Sequence, residues 1–342
     1  MTVSVIVPTR DYRRYLGRAI DSLRGQSHSD WQCVVVDDGS SDGTAELIRA
    51  LAKSDRRITY SAQHAAGPST GPSAARNTGL AAASGEFVQF LDADDLLGPG
   101  KLQRQIDVFA EHPEADIVYG GVRYFTETDP DDGQNGVARS WIDGPIRRVV
   151  SGSGESVLAA LVDDNIMVIE APLIRRSLFE RIGRFDPRIR RMEDWEFWLR
   201  CALAGASFVH DGATQDDDLP HVRVHRASSS QNQIAMHKAA ARVRAGVETR
   251  LPTPALRRLN RKRIHEHWAI VGMLEGMGGH PGLGMRHLLK AGFAEKNVKW
   301  LAWGVLMPVV RRPPGSWAMN KLRSTRARRR GEEVRDWQTH WP

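Results

Sequence analysis

The chain has 342 residues, 41% of them hydrophobic and 26% charged, a balance that describes a globular protein with a substantial core and excludes a disordered or largely membrane-embedded chain. Nine Lys/Arg against three acids in residues 311–342 hold nearly all of the formal net charge of +7, which argues against a nucleic-acid enzyme with a basic face throughout its fold. Cys33 and Cys201, without a CxxC spacing, supply neither a disulfide framework nor a zinc site and fit a reducing cytoplasm. No positive leader precedes the apolar start at Val3.

Residues 3–7 form a run rich in β-branched residues stopped by Pro8, which predicts a buried parallel strand. Tyr15, Leu16, Ala19, Ile20 and Leu23 then recur at helical spacing before Gly25. A second strand is expected over 33–36, ending in Asp37-Asp38-Gly39-Ser40-Ser41-Asp42, with Asp42 as the cap of a helix over 44–53. A third short strand over 58–60, a Gly/Pro/Ser loop over 67–73 and a small-residue helix over 74–83 follow. The fourth strand, 87–91, runs into Asp92-Ala93-Asp94-Asp95. This alternation predicts an α/β fold, a mostly parallel, doubly wound sheet whose strand ends open on a ligand crevice.

Beyond it come a helix over 101–110, a β-rich segment over 116–125 and a surface loop over 126–144 marked by Asp129-Pro130-Asp131-Asp132-Gly133 and Asn135-Gly136. Apolar segments over 155–162 and 166–174 precede a helix over 193–203 that carries Trp195 and Trp198. From Ala235 the pattern is mostly helical, which predicts a first domain over 1–230, with halves over about 1–125 and 126–230, and a helical C-terminal appendage over 231–342.

Four clusters carry chemistry where strands end or a helix begins. Val7-Pro8-Thr9-Arg10 closes the first strand, and Asp37-Asp38-Gly39-Ser40 the second. A carboxylate at the second place can accept the N3–H of a uracil ring, although the same run also suits a turn with helix-capping acids. Three carboxylates within Asp92-Ala93-Asp94-Asp95 repel one another unless something positive lies between them. A hard Mn²⁺ or Mg²⁺ ion meets that need and can also hold diphosphate oxygens, while an acidic turn capping the next helix is the plainer alternative. Glu193-Asp194-Trp195-Glu196-Phe197-Trp198 offers a carboxylate beside aromatic walls, suited to a general base or to complementing a helix dipole.

The order of these motifs, together with Ala75-Arg76-Asn77-Thr78-Gly79 and Gly183-Arg184-Phe185-Asp186 ahead of Glu193-Asp194-Trp195, resembles family 2 glycosyltransferases of the GT-A fold over about residues 3–230. The resemblance implies an inverting transfer of a sugar from a nucleotide diphosphate donor, a UDP-sugar, to the hydroxyl of a saccharide, lipid-linked or other acceptor, in polysaccharide or glycolipid synthesis. It implies donor contacts at Pro8, Thr9, Arg10, Asp38, Arg76, Asp92 and Asp94, with metal contacts at Asp94, Asp95 and His225. It also implies Asp194 as catalytic base, with Glu193, Trp195 and Arg223 on the acceptor side or supporting the site.

Two rivals remain at this point. A sugar-nucleotide nucleotidyltransferase would want a Gly-rich, basic phosphate loop where Pro8-Thr9-Arg10-Asp11-Tyr12 stands, and a non-catalytic nucleotide- or glycan-binding module would need no base at Asp194. Trp300, Trp303 and the apolar residues up to Val310, followed by Arg311 and Arg312, are too short to span a bilayer. They suit either a monotopic anchor at the inner face of the cell membrane or a helix packed on its neighbours.

Overall fold

The computed structural model describes residues 1–63, 69–127, 139–142, 148–225 and 231–307. Two compact units divide the chain, Met1–Val224 and His225–Pro342.

In the first unit, β1 (Val3–Thr9) lies inside a seven-stranded sheet, parallel to β2 (Trp31–Asp37) on one side and to β4 (Phe87–Phe90) on the other. β3 (Ile58–Ala62) extends the sheet beyond β2. On the far side, β9 (Pro172–Arg175) runs antiparallel between β4 and β6 (Ile117–Tyr119), and β10 (Phe208–His210) closes the edge parallel to β6. The order is β10-β6-β9-β4-β1-β2-β3, the mostly parallel sheet expected.

The apolar runs in β1 and β2 are continuous because both faces of the sheet are covered. Val3, Val5 and Val7 of β1 and Cys33 and Val35 of β2 join one core with Leu16, Ala19, Ile20 and Leu23 of α1 (Arg13–Arg24) and Ile48 of α2 (Thr44–Ser54). The intervening Val34 and Val36 meet Ala75 of α3 (Pro72–Ala82) on the other face. At roughly 1.5–3 kcal/mol for each fully buried aliphatic side chain, these two layers hold the strand ends in a fixed register, with Thr9 opposite Asp37. Asp42 joins the helix starts: its carboxylate accepts from Thr44 N at 3.0 Å and from Arg13 N at 3.0 Å.

Gly79 explains the glycine of the Arg-Asn-x-Gly run, since a Cβ there would collide with Ile6 Cγ2 of β1. Gly79→Ala should therefore cost about 1–3 kcal/mol through overpacking, read as a lower urea midpoint. An unchanged midpoint would show that α3 does not need this close approach.

The segment 116–125, expected as one β-rich piece, breaks at Gly120-Gly121 into two sheets. A Cβ on Gly120 would sit 2.5 Å from Asp211 Oδ1. After the break, β7 (Arg123–Glu127) enters a small second sheet of order β5-β11-β7-β8, with β5 (Leu96–Leu97), β8 (Arg139–Ile142) and β11 (Pro220–Arg223). The loop expected over 126–144 is thus partly strand; residues 128–138 and 143–147 lie outside the described residues. These strands are two to five residues long, too short for a period-2 pattern to stand out.

The remaining helices of the first unit are α4 (Lys101–Glu111), α5 (Glu155–Asp163), α6 (Ser177–Ile182) and α7 (Glu193–Leu203). The second unit holds α8 (Gln233–Val247), α9 (Pro254–Met277), α10 (Pro281–Ala294) and α11 (Val298–Leu306). Asn232, Thr253 and Asn297 cap α8, α9 and α11 with their side-chain oxygens. Trp300 packs against Ala269, Met273, Leu288, Ala291 and Met307, so this residue of the suggested membrane anchor is core. Among the described residues no helix is long and apolar enough to cross a membrane. The basic tail over 311–342 lies outside them.

Candidate active site

The parallel register brings the ends of β1, β2 and β4 to one edge, where a pocket of about 180 Å³ opens. Pro8, Thr9, Arg10, Tyr12, Asp38, Arg76, Asp92 and Asp94 all line it. Every donor-side residue expected from the sequence is therefore in one cavity. Thr9 Oγ1 is buried there with no hydrogen-bond partner, a cost that a polar ligand atom would relieve.

Asp38 is more heavily engaged than its motif suggests. One carboxylate oxygen accepts from Thr70 N at 3.1 Å and Thr70 Oγ1 at 2.6 Å, the other from Ser69 Oγ at 2.5 Å and Gly71 N at 3.0 Å. Burial alone would raise its pKa, but these donors outweigh it and hold the group below the usual carboxylate range. Asp38 thus builds the pocket wall by fixing the 69–71 turn, and a base contact would share oxygens already in use. Arg10 Nη1 donates to the Asp38 carbonyl at 3.2 Å.

Arg76, only 2% exposed, joins the two acidic motifs. Its Nη2 donates to Asp92 Oδ1 at 2.7 Å and its Nη1 to Glu193 Oε1 at 2.6 Å. Asp92 after β4 and Glu193 at the start of α7 therefore meet across a single buried guanidinium, while Glu193 and Asp194 are not among the residues that line the pocket. Asn77, which sequence reasoning passed over, clamps the same region: it donates Nδ2 to Phe185 O at 2.8 Å and accepts from Phe185 N at 3.0 Å. Successive residues of one helical turn thus secure both halves of the site, and only the Arg-Asn pairing in the sequence hints at it.

The acidic turn is pinned from the second sheet. Arg223 N donates to Asp95 Oδ1 at 2.7 Å and Arg223 Nε to the Asp94 carbonyl at 2.7 Å, while the guanidinium lies over the rings of Tyr15 and Phe125. Arg223 is a support for the turn, buried beneath it. Asp95 is buried and Asp94 half-buried. Carboxylate oxygens of Asp92, Asp95 and Glu170 all lie within 4.8 Å of one another. Burial first, then Asp94 and Glu170, pushes Asp95 well up from the carboxylate range; burial first, then Asp92, does the same to Glu170. Such a concentration of negative charge fits a hard divalent cation. The cation-capable trio among the described residues thus contains Asp95 from the expected set and adds Glu170, whereas Asp94 faces the pocket beside it. His225 is the first residue of the second unit, and the metal role expected of it rests on the sequence resemblance alone.

Asp194 stands in the first turn of α7, after Met192 in a left-handed conformation (φ 61). Non-glycine residues pay roughly 1–2 kcal/mol for that geometry, which the packing of α7 offsets. Asn165 Nδ2 donates to Asp194 Oδ2 at 3.2 Å. Burial, then the neighbouring Glu193 charge, raises the Asp194 pKa to about 6. The aromatic wall expected beside it is a correction: Trp195 is 2% exposed with Nε1 donating to Leu161 O at 2.9 Å, and Trp198 is wholly buried. Helical periodicity turns both rings into the core, so neither offers a face to a sugar.

Residues 4–168 match the sequence profile described as Glycosyl transferase family 2. An uncharacterized glycosyltransferase of Nostoc is 30% identical over 257 residues, covering 72% of this chain and 73% of its own. A putative teichuronic acid biosynthesis glycosyltransferase of Bacillus subtilis, TuaG, is 37% identical over 111 residues, 32% of this chain and 42% of its own. Among solved structures, residues 1–349 of S. aureus TarS in complex with UDP-GlcNAc superpose with a TM-score of 0.60 at 16% identity, covering 100% of this chain and 98% of that fragment. The mannosyltransferase PcManGT of Pyrobaculum calidifontis, in complex with GDP-Man and Mn²⁺, gives 0.55 at 20% identity over 90% and 81%. The fold is thus GT-A, and with a relative 30% identical and matched along most of both chains, the chain belongs to glycosyltransferase family 2.

Proposed function

We propose that the protein transfers a sugar from a nucleotide diphosphate donor, a UDP-sugar, to an acceptor hydroxyl with inversion at the anomeric carbon. The observation that carries this reading is the Arg76 bridge, which ties Asp92 on the pocket wall to Glu193, the residue before Asp194 at the start of α7. The UDP-GlcNAc complex of TarS and the Mn²⁺ complex of PcManGT support the donor class and the ion, and TuaG supports a cell-surface polysaccharide as product.

Pro8, Thr9, Arg10 and Asp38 would surround the nucleoside and Arg76 would orient Asp92 toward the donor. Asp194 takes the proton of the acceptor hydroxyl as its oxygen attacks the anomeric carbon; the bond to the diphosphate breaks, and its electron pair leaves on the nucleotide. A bound Mn²⁺ or Mg²⁺ would neutralise charge on that diphosphate, with carboxylates drawn from Asp92, Asp94 and Asp95 to hold it. A screen of nucleotide sugars with each ion, scoring the released nucleotide, tests the assignment. Release of UDP supports it, and release of pyrophosphate would turn the reading to a nucleotidyltransferase.

Because Asp194 must be ionised to accept a proton, and its pKa is about 6, kcat/KM should fall on the acid side with an apparent pKa near that value. An acid limb that stays in place in Asp194→Asn would assign it to another group.

Peripheral contact with an anionic lipid surface is proposed for the C-terminal region, which would bring the enzyme to a lipid-linked acceptor. Phe293, Val298, Val305 and Leu306 are exposed, and Lys296 and Lys299 are exposed beside them. Flotation with phosphatidylserine vesicles should drop when Val298, Val305 and Leu306 become Ser, and equal flotation would end the idea.

A further inference from the structure

Glu170 lies between α5 and β9, in an apolar stretch where no motif marks it. Its side chain is 2% exposed, and its Oε1 is buried with no hydrogen-bond partner. Leaving an ionised carboxylate in that state costs several kcal/mol. Arg76 and Lys101, basic groups that act on it, are committed elsewhere. Arg76 divides its Nη groups between Asp92 and Glu193, and Lys101 Nζ donates to Gln89 Oε1.

What Glu170 does have within reach is two more carboxylates. Ligand oxygens of Asp92, Asp95 and Glu170 fall within 4.8 Å of one another. Oxygens bound to one divalent ion at about 2.0–2.6 Å lie up to about 4–5 Å apart across it, so the three fit around a single ion. They come from two separate chain segments, after β4 and before β9, and the antiparallel pairing of β4 with β9 brings the segments together. Gln89 Nε2 donates to the Glu170 carbonyl at 2.9 Å, which holds that junction.

We propose that Glu170 is a third protein carboxylate of the cation site, with Asp92 and Asp95, so that the ion binds beneath the pocket before any nucleotide arrives. This rests on the metal-dependent reading given above. An Asp-x-Asp pair alone leaves most of an ion's coordination to water and diphosphate; a buried third carboxylate makes the site a protein-held one.

The test is calorimetric titration of the full chain with Mn²⁺ at pH 8, with and without UDP, on wild type, Glu170→Gln and Glu170→Asp. Wild type is expected to bind Mn²⁺ without UDP, and Glu170→Gln to weaken that affinity roughly tenfold to hundredfold. Glu170→Asp, which keeps the charge but withdraws it, should fall between and serves as the readout if the Gln variant does not fold. Equal nucleotide-free affinity in wild type and either variant overturns the proposal. Mn²⁺ binding by wild type only with UDP also overturns it and leaves the metal-dependent reading standing, whereas no binding in either condition removes that reading itself.

Discussion

Asp194→Asn is expected to lower kcat by roughly two to four orders of magnitude, the span attributed to one positioned general base, while UDP affinity stays near that of wild type. The separation follows from geometry. Asp194 is held by Asn165 at 3.2 Å, whereas the pocket lining belongs to β1, β2, α3 and the turn after β4. Stability should move the other way. A carboxyl whose pKa rises on folding to about 6 from 3.8 contributes stability that is complete below pH 3.8 and is lost as pH rises through about 6. At pH 8 the wild type therefore carries an ionised, poorly solvated Asp194, and the neutral Asn variant should melt at least as high. Single-turnover transfer and a thermal melt at pH 8 check both halves; near-normal turnover would remove Asp194 from the role, and a lower melting point would show that its charge supports the fold.

Arg76→Met should strongly destabilise the first unit. The guanidinium is buried between Asp92 at 2.7 Å and Glu193 at 2.6 Å, and removing it leaves two carboxylates facing one another with no counter-ion. Breaking a buried pair in this way costs about 3–5 kcal/mol, and the loss of Asp92 orientation should weaken UDP binding at the same time. The double variant Arg76→Met/Glu193→Gln removes one of the stranded charges and should recover part of the stability. Urea unfolding of the four members of that cycle measures the coupling. A single-variant loss under about 1 kcal/mol would mean that solvent reaches the bridge and that it does not hold the halves together.

Much of the site was legible because it is written in short, local signals. A strand that ends in acids and a helix that opens on them need only neighbouring residues to be seen. Hence β1, β2, β4 and α7 fall close to their expected bounds, with α7 beginning at Glu193 as the pattern predicts. The identities of Gly79 and Asn77 were visible, but their reasons were not. One is a collision with Ile6 and the other a clamp on Phe185, both across large sequence separations.

The amino-acid sequence by itself determined the alternation of strands and helices and the acids at the strand ends, because periodicity and turn composition act over a few residues; the class of chemistry came from the family resemblance that the order of those motifs carries. Only the tertiary structure decided which acids meet. β9 enters antiparallel beside β4 and carries Glu170 to Asp92 and Asp95, and the second sheet brings Arg223 under the acidic turn. Helical rotation of α7 sends Trp195 and Trp198 inward. Which charged groups share one buried volume depends on strand order and side-chain direction, and in a low-dielectric interior that proximity sets their chemistry.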